Sequence, residues 1–590
     1  MAITLLCNSS CAVYDDVGKK ITAATGVKLP SYHLMTKNRP SVLPIIINKM
    51  VSYDNQDGAL DLAVTVDENQ TSTDINTLPV LITVDNTKGL SEGEALEMVL
   101  RKTSESGNTV MGGVIEGGYG KYLKHLVEKH KSRGRILREE EEGIVIDSID
   151  GAEHLKSKKQ ITSVISFSSS LVCSRWLAEA RVKAGSSLNI LTWMQLRGTE
   201  SVHVMMPAVK SYFEEKKVIR DENQNNEQNI SNNKRNKRKF WFYKVHDGKM
   251  LYLLTQHSLW NRKYHPFLIC SCSRGAGVKD PSHVCTPLTN AEHLVLFNLS
   301  KRRWYTKRES EKAKGNKIYG CKEHLNWVDK KNKGCSHFGV HPLNLPREDL
   351  RFDTFHLKCA ITRRLMAYLR NFIMKQTLVI VKDFNTLLKS FYNDYHLYIW
   401  NNNKNFASFL GNEIALFVGN TEAILFFLDK NMIATPELLS IAQSLSLWVK
   451  LWKFLSISHL RGIHPTAYII QMLKFEENLQ QFYAAGSRTF LTKAGNVGVE
   501  ETFYLHTLRY YMPVVAHTTF VRHRTGVAIF TMQGFERRNK ESKYFMKRFS
   551  NNAGNTCLNN MKRLWDRFFY DTTVEKIDED TVVPITTIIG

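Results

Sequence analysis

Apolar residues follow two different periods along this chain. Between about 355 and 520, Leu, Phe and Trp recur every three or four positions, as in LLSIAQSLSLWVKLWKFL at 438–455. That spacing turns one stripe of each helix inward and predicts a helical bundle in which the aromatic residues are core. Upstream the period shortens and β-branched residues dominate. Gly143-Ile-Val-Ile-Asp147-Ser-Ile-Asp150 predicts a strand and Ile161-Thr-Ser-Val-Ile-Ser-Phe167 its hairpin return. Phe240-Trp-Phe-Tyr-Lys-Val-His246 predicts a further strand, and Gly248-Lys-Met-Leu-Tyr-Leu-Leu254 a helix that opens just after Asp247. Two more helices are predicted over 527–549 and 556–570. In the second, Leu558, Met561, Leu564, Trp565, Phe568 and Phe569 share one face.

Between these elements lie segments without a clear period. Residues 1–135 hold the extended run Leu78-Pro-Val-Leu-Ile-Thr-Val84 and the glycine-rich MGGVIEGGYG at 111–120. The latter matches neither a dinucleotide nor a P-loop spacing and predicts a turn. The stretch 221–239, DENQNNEQNISNNKRNKRK, is almost free of apolar residues and predicts an exposed basic loop.

Charge is distributed unevenly. The 590 residues carry a net +23, yet the first 100 hold 7 Lys and Arg against 12 Asp and Glu, a balance of −5, which leaves +28 on the other 490. A surplus of that size suits a polyanionic partner, because each phosphate neutralised releases condensed counterions. A merely solvated basic surface is the bland alternative. At 43% hydrophobic residues the chain is too apolar to be mostly disordered. The closest approach to a membrane span, Leu438 to Val449, is short and ends at Lys450, so no span is expected. The N-terminus has no basic stretch before its brief apolar run, which argues against secretion. Ten cysteines are few for a disulfide scaffold, and several lie near histidines, so an intracellular, reduced protein with zinc is expected.

Asp150 and Asp247 are carried by predicted strands and Glu536 by a late helix. Three such carboxylates suit two-metal phosphoryl transfer, in which two divalent ions about 3.5–4 Å apart activate a water or 3′-hydroxyl and stabilise the leaving oxygen. Asp247 and Glu536 are 289 residues apart, so a whole helical domain has to be inserted between them. Each carboxylate could instead cap a helix or pair with an arginine.

Taken in order, these motifs resemble the large eukaryotic DDE transposases with an RNase H-like core, the group that includes Transib transposases and the catalytic subunit of the V(D)J recombinase. The resemblance covers about 140–571. It rests on Asp150-Gly before a hairpin, Asp247-x-Lys249 opening a helix, a cysteine pair about twenty residues on, Asp353-x-x-His356, His506 ahead of Pro513, and Gly534-x-Glu536-x-x-Asn539-Lys540. It implies a multidomain α/β protein with a separate N-terminal α+β module of unassigned function at 1–135. An RNase H-like core would begin in 136–355, be interrupted by a helical insertion at 356–520, and be completed by helices in 521–590. The resemblance further implies Mg²⁺ or Mn²⁺ held by Asp150, Asp247 and Glu536, double-stranded DNA as partner, a nuclear location, and a homodimer holding two DNA ends. Asp147 competes with Asp150 as first ligand, because the two are expected on one strand face. Asp353-x-x-His356 is implied as a supporting motif, and Asp353 also suits a helix N-cap.

The same resemblance places zinc on Cys270-x-Cys272 and His506. This chain departs from the family in its CxC spacing and in having Tyr511 where a second histidine is expected; His283, Cys285 and His517 are candidate substitutes. Inert buried thiols are the alternative. A second cluster within the Cys/His-rich segment 265–341, Cys321, His324, Cys335, His337 and His341, also has metal-like spacing. Lys234, Arg235, Lys237, Arg238 and Lys239 in the basic loop suit either a nuclear import receptor or contact with DNA phosphates, and charge alone does not choose between them. Arg302 and Arg303 beside Trp304 and Tyr305 form a second strip of expected DNA contacts, and Arg537, Arg538 and Lys543 a third, with Lys540 on the same helix. The rival expectation is an inactive DNA-binding descendant of a transposase, which needs the basic surface without all three carboxylates. A zinc-stapled scaffold with no nucleic-acid role is a further one.

Overall fold

The computed structural model describes residues 118–156, 161–197, 240–254, 350–402, 409–486, 501–549 and 556–570, several short strands, and isolated positions that include 270, 272 and 283–285. Near the N-terminus β1 (Lys49–Ser52), β2 (Leu81–Thr83) and β3 (Thr109–Val110) pair antiparallel in the order β2-β1-β3. The main sheet is built from β4 (Gly112–Val114), β5 (Gly143–Lys156), β6 (Ile161–Val172), β7 (Ile190–Arg197), β8 (Phe240–His246) and β9 (Leu350–Phe352). Its strand order is β4-β7-β6-β5-β8-β9. The expected hairpin is present, with β5 antiparallel to β6 over Ile144↔Val172 to Lys156↔Ile161. On the other edge of β5, β8 and then β9 add in parallel. The class is mixed α/β.

Helix α1 (Gly118–Ser132) lies on this sheet: Tyr119, Tyr122 and Leu126 are buried, and the Tyr122 hydroxyl donates to the Leu191 carbonyl at 2.5 Å. β4 pairs with β7 and α1 packs beside it, so residues 112–114 and 118–132 belong with the sheet. β4 and α1, which precede residue 135, thus pack with strands that follow it. The reason is chemical: the glycine-rich run supplies an edge strand, and the aromatics after it supply core.

Two short helices follow, α2 (Ser174–Ala178) and α3 (Gly248–Leu254). The helical region comprises α4 (Thr354–Ile373), α5 (Leu378–Phe391), α6 (Asp394–Asn401), α7 (Gly411–Gly419), α8 (Thr421–Asn431), α9 (Pro436–Leu455) and α10 (Pro465–Gly486). Helix α9 shows why the apolar period is informative. Thr435 caps it by accepting from the Leu438 N–H, Pro436 occupies its first turn, and Leu438, Ile441, Leu445, Trp448, Leu451 and Leu455 are buried along one side. Burying each such side chain contributes about 1.5–3 kcal/mol relative to exposure.

The chain returns to the sheet through α11 (Phe503–His506), a π turn at Thr507–Tyr511, α12 (Met512–His523), α13 (Gln533–Phe549) and α14 (Thr556–Tyr570). The helix expected over 527–549 is interrupted, with a single 3₁₀ turn at Val527–Ile529 and α13 beginning only at Gln533. The buried Asp353 carboxylate takes the Met532 N–H at 2.8 Å, and the Phe530 carbonyl accepts from the Thr354 N–H at 2.9 Å. These bonds hold 530–532 in an extended strap against the start of α4. No helix among the described residues is long and apolar enough to cross a membrane.

Candidate active site and metal centre

Asp150 and Asp247 belong to adjoining parts of the sheet, on β5 and just after β8. In the parallel pair β5 and β8, Asp147 stands opposite Lys244, an offset of 97 residues. The same offset recurs where the Ile149 N–H donates to His246 Nδ1 at 3.1 Å. Asp247 follows directly where β8 ends, and Asp150 lies one residue beyond Ile149 on β5. Asp247 Oδ1 accepts the Met250 N–H at 2.6 Å, so this carboxylate caps the start of α3.

Asp147 does not share the position of Asp150. Residues three apart on a strand point to opposite faces, and here they do. Asp147 is buried with Oδ1 accepting from the Tyr119 hydroxyl at 2.8 Å and from Ser169, whereas half-buried Asp150 accepts from the Asn539 side-chain amide at 2.5 Å. The expectation that both aspartates lie on one face is thus corrected. Asp147 is a core residue, and Asp150 is the one directed at α13.

Helix α13 carries Glu536 to His356 and Asn539 to Asp150. Its first turn is pressed on the chain at Gly185: a Cβ on Gly534 would lie 2.6 Å from the Gly185 carbonyl oxygen and 2.8 Å from Ile190, so only glycine fits. Asn539, one turn after Glu536, bonds Asp150. Glu536 Oε1 lies 3.4 Å from His356 Nε2, and the other ring nitrogen, Nδ1, bonds Asp353 Oδ2. Burial disfavours a charged His356, but the Asp353 carboxylate and then Glu536 outweigh it and hold the imidazole above its ordinary pKa. Asp353 also caps α4 through the N–H groups of Phe355 and His356, both at 2.9 Å. This aspartate is helix cap and supporting residue together. Tyr504 completes the surroundings, accepting from the Gly248 N–H at 3.2 Å. Burial raises its pKa; the field of Asp247 and Asp353 adds to this and that of His356 opposes it.

The exposed stripe of α13 carries Gln533, Arg537, Lys540 and Tyr544, while Lys543 is half-buried. Arg538 does not belong to the expected DNA-facing set. It is buried, with its guanidinium donating to the carbonyls of Ser187 and Ile190, both at 2.7 Å, and to Glu541 at 3.2 Å. Helical geometry places it one position round from the exposed stripe, and it serves to fasten α13 to the sheet. The expected DNA contacts Lys234, Arg235, Lys237, Arg238, Lys239, Arg302 and Arg303, with Trp304 and Tyr305, lie outside the described residues. So does the cluster Cys321, His324, Cys335, His337 and His341.

A second centre joins distant parts of the chain. Cys270, Cys272, Cys285 and His506 place one donor atom each within 4.8 Å of one another, the only group of three or more His, Cys, Asp or Glu so arranged among the described residues. Cys270 Sγ is 3.3 Å and Cys285 Sγ 3.7 Å from His506 Nε2. A tetrahedral zinc with Zn–S of about 2.3 Å and Zn–N of about 2.0 Å needs its donors roughly 3.5–3.8 Å apart, so this group could hold such a metal. Glu501 Oε1 is 3.4 Å from His506 Nδ1, and both side chains are buried, which aims Nε2 at the sulfurs. Hydrogen bonds from Cys272 and Cys285 draw the Cys270 thiol below its usual range. Of the candidate substitutes for the missing histidine, Cys285 is in the group. His283 Nε2 is 3.3 Å from Cys272 Sγ at its edge, and His517 is exposed on α12. Tyr511 packs instead of ligating, stacked on Phe352 at 5.2 Å.

Comparison with models of known protein families gives no match, and comparison with curated proteins gives none either.

Proposed function

We propose that the chain is a DDE-type DNA transposase, or a domesticated relative of one, acting on double-stranded DNA in the nucleus by two-metal phosphoryl transfer. One observation carries the reading: β5, which bears Asp150, runs parallel to β8, which leads directly into Asp247, and α13 docks with Asn539 on Asp150 and Glu536 one turn away. The sheet supports an RNase H-like core. Three long antiparallel strands, β5 to β7, are followed by two parallel strands added on the other side of β5, and the helical region is inserted before α13.

The donor set suits Mg²⁺ or Mn²⁺, since carboxylate oxygens are the ligands hard cations prefer. Such ions, when bound, supply Lewis-acid stabilisation of the charge that develops on the phosphate. The protein's own part is orientation: Asn539 fixes the Asp150 carboxylate, the Met250 N–H fixes Asp247, and His356, itself held by Asp353, fixes Glu536. Arg537 and Lys540 on the exposed side of α13 are placed to meet the DNA backbone. Zinc in the Cys270, Cys272, Cys285 and His506 group has a structural role, and a homodimer holding two DNA ends belongs to the same proposal.

A specific observation favours the rival, an inactive DNA-binding descendant: each of the three carboxylates already has a protein partner. Supercoiled plasmid decides between them. The active reading expects nicking that requires Mn²⁺ or Mg²⁺ and is lost in Asp247→Asn; the rival expects retained plasmid binding with no metal-dependent nicking in the unaltered protein.

A further inference from the structure

Helix α11 faces both centres within a single turn. His506, at its end, points Nε2 at Cys270 and Cys285. Tyr504, two residues earlier, accepts from the N–H of Gly248, the residue after Asp247. Phe503 lies against the same glycine: a Cβ on Gly248 would sit 3.0 Å from the Phe503 ring and 3.3 Å from the Tyr504 hydroxyl. Gly248 is therefore the point at which α11 leans directly on the start of α3, and Asp247 is the cap of that helix. Phe503 also meets Phe352 at 5.9 Å, and Phe352 immediately precedes Asp353. Thr502 caps α11, and the buried Glu501 just before it engages His506, so this turn has little freedom once His506 is fixed.

We propose that α11 couples the two centres, with Tyr504 as a positioning residue: metal captured by Cys270, Cys272, Cys285 and His506 fixes α11, and Tyr504 passes that position to Asp247 through Gly248. The proposal rests on the reading of Asp247 as a ligand of the carboxylate site and gives the zinc group a task beyond holding the fold. The zinc ligands come from segments before and after the helical region, so the group also closes the loop that delivers α13.

The test uses the full chain and reads metal binding. Mn²⁺ affinity is measured by electron paramagnetic resonance of the free ion, zinc by elemental analysis, and folding by thermal melting. Tyr504→Phe keeps the ring and removes the acceptor oxygen. It is expected to retain one zinc and the wild-type melting temperature while its Mn²⁺ affinity falls roughly tenfold, the effect typical of losing an outer-shell partner. Gly248→Ala, which pushes α11 away from α3, is expected to act in the same direction with zinc retained. Cys270→Ser is expected to lose zinc and to weaken Mn²⁺ binding, and adding Tyr504→Phe to it is expected to weaken it no further. Wild-type Mn²⁺ affinity in Tyr504→Phe and Gly248→Ala, or fully additive effects in the double variant, would overturn the coupling alone. Wild-type Mn²⁺ affinity in Asp247→Asn would instead strike the carboxylate site, and the coupling with it.

Discussion

His506 reaches Cys270 across 236 residues of chain, with Nε2 3.3 Å from the thiol sulfur. The contact ties the region after β8 to the turn that leads back to α13. Metal binding at such a junction is folding free energy, because the unfolded chain has no preformed site. The purified protein is therefore expected to carry one zinc per chain. Cys270→Ser, or prolonged chelation, is expected to remove it and to lower the unfolding temperature by about 5–10 °C. Elemental analysis and a melting curve check both, and an unchanged melt after zinc loss would mean the group does not hold the fold.

Arg537 and Arg538 are adjacent in sequence, one exposed and the other buried, which yields a paired prediction under the proposed function. Replacing Arg537 and Lys540 by Gln is expected to leave stability within about 0.5 kcal/mol, since both are exposed. It is also expected to lower the salt slope of DNA binding by about 1.8, near 0.9 for each phosphate no longer neutralised. Arg538→Gln strips the Ser187 and Ile190 carbonyls of a buried charged donor and is expected to destabilise by about 3 kcal/mol or more, with the salt slope of the folded fraction unchanged. Denaturant titration and binding at several salt concentrations separate the two. A slope change in Arg538→Gln would return that residue to the DNA surface.

What is legible in the sequence follows from how local each signal is. The hairpin of β5 and β6, the strand ending at His246 and the helix opening behind it are set by nearby residues, and each is found where the pattern places it. The apolar stripe of α9 is another such case. Long-range choices are less legible. That Cys285 and not His517 stands beside His506 depends on how a segment 221 residues away folds back, and spacing carries no information about that. Arg538 has the composition of a DNA contact, and only the approach of the Ser187–Asn189 turn and Ile190 makes it an internal fastener. The placement of Asp147 and Asp150 is different in kind: the alternation of a strand already separates residues three apart, so their opposite faces follow from the sequence, and the expectation of a shared face runs against it.

His130 gives a pH test of the α1 packing. It is buried, stacked on Trp176 with ring centroids 5.2 Å apart. Burial, and then the charges of Arg135, Arg133 and Lys129, lower its pKa well below the usual 6.5. The folded state thus holds His130 neutral while the unfolded chain gains its proton at about pH 6.5. Stability is full above that pH and falls as the pH drops below it, by up to about 1.4 kcal/mol per pH unit from this group. His130→Phe keeps the stack and is expected to flatten the decline between pH 6.5 and 5. Melting curves across that range check it; an unaltered slope would assign the acid sensitivity to other histidines, such as His459, whose burial also lowers its pKa.

Under the proposed function, Glu536→Gln is expected to separate catalysis from binding in one protein. The substitution keeps the shape of the side chain and removes its charge, while Gly534, Asn539 and Arg538 still dock α13 on the sheet and Arg537 and Lys540 still face outward. DNA affinity is expected to persist and metal-dependent nicking to fall by roughly 10³-fold or more, about 4 kcal/mol in the barrier. Asp247→Asn is expected to behave alike, and the double variant to be no worse than either, because residues of one site act as a unit. Asn539→Ala removes the amide that orients Asp150 without touching a proposed ligand, and a smaller loss of roughly 10–100-fold is expected. Plasmid nicking measured beside filter binding distinguishes the outcomes. Full nicking by Glu536→Gln would remove α13 from the active site, whereas equal loss of binding and nicking would make Glu536 a structural partner of His356.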